Sequence, residues 1–381
     1  MKIVIAPDSF KGSVSALGAA IAIEKGVKKA LPGAETVLVP IADGGEGTME
    51  SLIAATGGRR VEVVATGPTG LPVQAAYGIL GDQRTCVVET ASASGLTLVP
   101  EEERNPLSST SRGTGELIRK ALDDGFRQFI VGLGGSATND GGAGMLQALG
   151  MKLVDEQGRE LGPGGVELAR VCDMDDSEWD PRIAECTFLI ASDVQNPLIG
   201  PQGASAVFGP QKGATSDMVE QLDRALERWA DLIERKRGFR LHDMPGAGAA
   251  GGLGGAFAAF FPSRMQRGID IVIQHTGLEK HLSDAVLVIT GEGRIDAQTA
   301  SGKAPLGVAQ AAQKRGVPVI VLAGSVGEGI DGLYRHGVTS VHAIANGPLA
   351  LRQAMEQAEA LLAQAAEQVL RVFLAGARAG K

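Results

Sequence analysis

A chain of 381 residues that is 44% hydrophobic can bury a substantial core, and its length suits about two domains. The formal charge of −8 is spread without a basic block, which argues against nucleic acid or an anionic membrane as the main partner. Cys86, Cys172 and Cys186 are odd in number and lack metal-ligand spacing, so neither a disulfide framework nor a zinc site is expected.

Ile3 to Ala6 reads as a short buried strand, and Ser13 to Leu31 has a helical periodicity that Pro32-Gly33 ends. Thr36 to Pro40 is a second strand, Ala42-Asp-Gly-Gly-Glu-Gly47 a loop, and Thr48 to Ala55 a second helix, together the start of a parallel sheet. Arg60 to Ala65, Val73 to Leu80 and Thr85 to Glu89 are alternating or β-branched runs joined by turns, as in antiparallel hairpins. Leu107 to Asp124 is helical, Gln128 to Leu133 is a strand, and the loop Gly134 to Gly142 leads into a helix through about Leu149. Residues 151 to 182 are irregular and acidic; Cys186 to Ala191 is a strand and Ser216 to Arg235 an amphipathic helix. A strand from Asp284 to Ile289, ended by Gly291 and Gly293, reopens the βα alternation. It continues with a helix from about Lys303 to Arg315, strands at Pro318 to Ala323 and Ser340 to Ala345, and one long helix over 349 to 373.

The expected fold class is α/β: a Rossmann-like parallel-sheet domain, residues 1–60 plus 282–381, interrupted by an inserted mixed α/β domain, residues 61–281. No secretory h-region and no apolar run near the roughly 20 residues needed to span a bilayer is apparent, so a cytoplasmic protein without a membrane partner is expected. A homodimer is compatible with the sequence.

Ligands of open α/β sheets bind at the carboxyl ends of strands, and the chain's chemistry collects there. Asp8, Ser9 and Lys11 come after the first strand and offer an acceptor, a donor and a cation; the plainer alternative is a βα turn, with Ser13 capping the next helix. Asp43 and Glu46 suit Mg²⁺, which prefers oxygen ligands, or serve only as a charge-favoured helix start. Gly134, Gly135, Ser136 and Thr138 present amides and hydroxyls ahead of a helix, a ready anion site. Gly132 to Ala137 also fits the G-x-G-x-x-A dinucleotide form, but Gly246 to Gly251 fits its relative without a strand before it, so chance matches are expected in so glycine-rich a chain. Asp193 and Asn196 could reach a metal or a hydroxyl, or form an Asx-turn before Pro197. Glu292, Arg294, Asp296 and Lys303 could grip an anion, hold a metal and accept a proton.

Gly302-Lys303 is no P-loop, because Ala297 and Ala304 stand where the Walker pattern needs Gly and Ser or Thr. The five histidines lack H-E-x-x-H spacing, and no G-x-S-x-G elbow exists. What remains is a set of carboxylates, lysines and phosphate-ready loops, the equipment of phosphoryl transfer.

Taken together, Asp8-Ser-Phe-Lys-Gly-Ser13, Ala42-Asp-Gly-Gly-Glu-Gly-Thr48, Gly132 to Gly142, Ser192-Asp-Val-Gln-Asn-Pro-Leu198 and Thr290 to Thr299 with Gly302-Lys303 closely resemble the bacterial glycerate kinase family, type I. The resemblance runs in order over essentially the whole chain; Ala300-Ser301 stand where the family pattern has bulkier residues. It implies two α/β domains and the use of ATP and Mg²⁺ to phosphorylate D-glycerate, typically at the 2-hydroxyl. On that basis Asp296 or Asp193 is the expected base and Lys11 a further catalytic residue, while Asp8, Ser9, Arg294 and Lys303 hold glycerate. Gly134, Gly135, Ser136, Thr138 and Asn139 are expected on the nucleotide phosphates, and Asp43 and Glu46 near the metal. Phosphorylation at the 3-hydroxyl, an NAD(P)-dependent hydroxy-acid oxidoreductase and a non-catalytic hydroxy-acid sensor are the competing readings.

Overall fold

The computed structural model describes residues 1–297, 299 and 303–379. Strands run in chain order as β1 (Lys2–Ile5), β2 (Glu35–Leu38), β3 (Arg59–Thr66), β4 (Pro72–Ile79), β5 (Thr85–Glu89) and β6 (Gln128–Gly132). They continue as β7 (Lys152–Val154), β8 (Asp173–Asp175), β9 (Thr187–Ala191), β10 (Ser263–Gln266), β11 (Leu287–Ile295), β12 (Val319–Val326) and β13 (Val338–Ala343). The chain divides into two compact units: residues 1–43, 50–57 and 269 onward, and residues 44–49 with 58–268. The mixed α/β class with a parallel-sheet unit interrupted by a second one is the class expected.

The first unit carries a five-stranded sheet in the order β13-β12-β11-β1-β2, parallel throughout. This is the flavodoxin-like variant of the doubly wound fold, whose order reverses between β1 and β11; ligands of such sheets bind at that reversal, beyond the carboxyl ends of the strands. Ile3, Ile5, Leu287, Ile289 and Leu322 are buried in one cluster with Ile23 and Val27 of the helix Ala16–Ala30, each such side chain contributing about 1.5–3 kcal/mol.

The second unit has a six-stranded mixed sheet, β10-β9-β6-β5-β4-β3, in which β3, β4 and β5 are the antiparallel hairpins expected and β5, β6, β9 and β10 run parallel. Its core contains stacked aromatic pairs: Phe129 stacks on Phe188 at 4.7 Å, and Trp229 stacks on Phe260 at 6.0 Å.

Four local readings change. β11 does not stop at its glycines but pairs with β12 as far as Ile295 against Val326. A Cβ on Gly291 would lie 2.0 Å from the Leu322 carbonyl oxygen, so the glycine serves close strand approach rather than a turn. The helix cap is Ser15, whose Oγ accepts from the Gly18 amide at 3.1 Å, while Ser13 Oγ donates to the Met355 carbonyl at 2.6 Å. The terminal helix is two, Leu351–Glu356 and Ala358–Ala379, broken at Gln357. The second of these is, by length and composition, apolar enough to cross a membrane, contrary to expectation; its Leu361, Leu362, Ala366 and Leu370 are buried in the core cluster of the first unit.

Candidate active site

The order reversal between β1 and β11 brings together most of the charged residues that the sequence singles out. Backbone bonds fix them: the Ala6 amide donates to Ile289 O and the Asp8 amide to Gly291 O, both at 2.8 Å, and Thr290 Oγ1 donates to Ala6 O at 2.6 Å. Asp8 therefore leaves β1 beside Glu292 on β11. Because β11 continues as a strand, Glu292 and Arg294 lie two residues apart on one face. A cavity of about 510 Å³ opens here, lined at this end by Asp8, Ser9, Lys11, Asp43, Arg294 and Lys303, with Glu292.

Asp8 is 4% exposed, and its carboxylate accepts from the Ser9 amide at 2.6 Å. Burial, then the neighbouring Asp43 and Glu292 charges, push its pKa up to about 7 against the opposing effect of that amide and of Lys11. Burial likewise raises Glu292, while Thr299 Oγ1, donating at 2.7 Å, and the Lys303 charge partly offset it. Lys303 precedes the helix Ala304–Gln313, and Lys11 is exposed in the first βα loop. Arg294 is largely exposed and its Nε donates to Asp296 Oδ2 at 3.0 Å, a pair worth about 0–1 kcal/mol in so open a setting. Asp296 is not among the residues that line the cavity. The remaining positions of this motif, Gln298 and Ala300 to Gly302, lie outside the described residues.

The second unit presents its own carboxyl edge. Glu89 closes β5 and accepts from the Met49 amide at 2.7 Å; Asp193 comes just after β9 and accepts from the Gly268 amide at 3.3 Å. Glu46, expected beside Asp43, is exposed and falls in this unit, whereas Asp43 falls in the other.

In the glycine loop after β6, Gly135 is exposed and Gly134 half-buried, but Ser136 is 6% exposed and Thr138 and Asn139 are wholly buried. Asn139 Nδ2 donates to Ser205 Oγ at 2.9 Å. The helix Ala143–Ala148 has its leading amides taken by the buried Asp140 carboxylate, which accepts from Gly142, Gly144 and Ser111. Thr138 and Asn139 are thus buried, with Thr138 Oγ1 and Asn139 Oδ1 left without a hydrogen-bond partner among the described residues, and the helix start is already capped by an internal anion. Of the expected phosphate contacts, only Gly134 and Gly135 are open to solvent.

Beneath the loop, the buried Lys212 donates from Nζ to Ser136 Oγ at 3.1 Å and to Thr138 O at 2.7 Å. Burial pulls its pKa down to about 7, with Asp140 opposing. Sequence reasoning passed over Lys212 and Glu89. Glu89 ends a buried strand much as Asp8 comes after one and could have been found by that rule; Lys212 has no signal beyond its place in the turn Gly209 to Gly213. His242, itself buried, pairs with Asp231 at 2.9 Å near Glu234, whose carboxylate accepts from Arg240.

Comparison with known proteins adds to this geometry. A family model described as the glycerate kinase family matches residues 3–374. A glycerate kinase of Bacillus subtilis is 52% identical over 97% of each chain, and a glycerate 2-kinase of Escherichia coli is 49% identical over 99% of each. A crystal structure described as glycerate kinase 2 from Salmonella typhimurium superposes with a TM-score of 0.89 at 50% identity, covering 99% of both chains.

Proposed function

We propose that this chain, which belongs to the glycerate kinase family and is a kinase, transfers the γ-phosphoryl group of ATP to the 2-hydroxyl of D-glycerate. The observation that carries the reading is the meeting of buried carboxylates with lysines and an arginine around one cavity at the β1/β11 reversal. Glycerate is a small carboxylate with vicinal hydroxyls. Its enzyme needs a cation for the carboxylate, a proton acceptor at the attacking oxygen and charge neutralisation at the phosphoryl group.

Arg294 suits the first task, because a planar guanidinium matches a carboxylate bidentately and the bond to Asp296 runs through its Nε. Asp8 suits the second better than Asp296: it lines the cavity, and burial holds it near the ionisation range of a working base. In the transfer the hydroxyl proton passes to Asp8 as the oxygen bonds to the γ-phosphorus, the bridging P–O bond breaks and ADP departs with the bonding electrons. Lys11 and Lys303 stabilise the charge on the transferring group.

Mg²⁺ is the cation expected with ATP. Asp43 and Glu292 fit it, being oxygen donors that line the same cavity close enough for the charge of one to raise the pKa of the other. When bound, it would neutralise phosphate oxygens. A coupled assay of ATP with D-glycerate, with phosphorus NMR of the product, tests the reading: 2-phosphoglycerate is expected, 3-phosphoglycerate would move the transfer to the other hydroxyl, and no ATP consumption would remove it. Oxidation of glycerate with NAD(P) finds no comparable support, because the relatives that match the whole chain are glycerate kinases.

A further inference from the structure

The cavity is larger than the acceptor needs. Even at the roughly 30 Å³ that one water takes in the liquid for each of its seven heavy atoms, glycerate takes at most about 200 Å³ of about 510 Å³, leaving room for about the ten heavy atoms of a purine base. The surplus has a different character from the charged end. Its walls are Ile344 beyond β13, Leu351, Ala354 and Met355 on the helix Leu351–Glu356, and Leu361 on the helix after it. The two ends are joined structurally: Ser13 Oγ holds the Met355 carbonyl, and the Met355 Cε lies 3.1 Å from where a Cβ on Gly12 would be. The first βα loop, which carries Lys11, and the terminal helices are therefore walls of one chamber. An apolar slot opening onto Lys11 and Lys303 fits a molecule with a flat, weakly polar end and a chain of anions.

We propose that the apolar half of this cavity takes the purine base of an adenine nucleotide, packed against Leu351, Met355 and Ile344, with its phosphate chain running towards Lys11 and Lys303. The proposal rests on the kinase reading and deepens it, since it locates the donor in the first unit rather than on the Gly134 to Ser136 loop. A methionine thioether is polarisable and adaptable, a good face for an aromatic ring.

The wild-type enzyme is first assayed with ATP and D-glycerate; absence of turnover would sink the kinase reading and is scored apart from the test of the slot. In Ala354→Phe the added ring occupies the slot, and the KM for ATP should rise on the order of tenfold or more while that for D-glycerate stays within about twofold. Because that variant could misfold, wild-type protein is also photolabelled with 2-azido-ATP. Label is expected within residues 344–361, displaced by ADP and not by D-glycerate. Label on residues 134–136, or a variant whose glycerate KM rises while its ATP KM is unchanged, would overturn the proposal.

Discussion

The carboxyl edges of the two sheets use the same ingredients to opposite ends. Each sets glycines and a carboxylate after buried parallel strands and has a lysine beside them. At the first edge Asp8, Glu292, Lys11 and Lys303 border open volume. At the second, Lys212 is turned inward to Ser136 and Thr138, and Asp140 spends its oxygens on amides of its own unit. The first edge keeps charge beside empty space, which a folded chain otherwise pairs or excludes, whereas the second ties part of its charge to its own loop and backbone.

Replacing Asp8 is the hardest test of that contrast. In Asp8→Asn, kcat should fall by roughly 10²–10⁴ with the circular dichroism spectrum retained; near-normal turnover would return the proton-accepting role to Asp296 or Asp193. Next in size, Gly291→Ala forces a Cβ against Leu322 O, which should cost about 1–3 kcal/mol in urea unfolding; an unchanged midpoint would mean that the two strands part easily.

Arg294→Lys, which keeps the charge but loses the fork, should raise the glycerate KM by roughly tenfold with kcat little changed. An equal loss in kcat would instead tie Arg294 to the transferring phosphoryl group.

The second edge is probed by Lys212→Met. The folded pKa of Lys212, about 7, lies below its ordinary 10.5, so between those values the unfolded chain binds more protons and raising the pH stabilises the wild type. The stability difference between wild type and variant should therefore shift in favour of the wild type from about pH 7 to pH 10 in paired urea titrations. A flat difference would mean that the ammonium is better solvated than its burial implies. The smallest effect is expected of Asp296→Asn: stability within about 0.5 kcal/mol and a severalfold change in glycerate KM, as befits an exposed pair in which Asp296 orients Arg294.

Much of the fold and of the first edge was legible in the sequence because buried parallel strands are continuous apolar runs, and the residue just past each run is where a ligand would sit. That rule picked out Asp8, Lys11, Asp43, Arg294 and Lys303, all of which line one cavity. It says less where distant packing decides. Thr138 and Asn139 look like phosphate contacts in the chain, but their surroundings come from Lys212 and Ser205, more than sixty residues away. Gly291 and Gly293 resemble a loop in the chain, whereas the ladder with β12 carries them through as strand. Ser13 reads as the cap in the chain, but the helix starts at Ala16, which makes Ser15 its cap, and Ser13 binds the Met355 backbone instead.

The seam between β11 and β12 has one more implication. Besides the close approach at Gly291, a Cβ on Gly324 would meet the Gly293 carbonyl at 2.5 Å, so main chain rests on main chain just below the cavity. A floor of that kind has no side chains to vary. Selection for a longer or differently branched acid, natural or in the laboratory, must act on the rim, at Ser9, Lys11, Arg294 and Ser325, where a changed side chain alters the shape of the space without prying two strands apart.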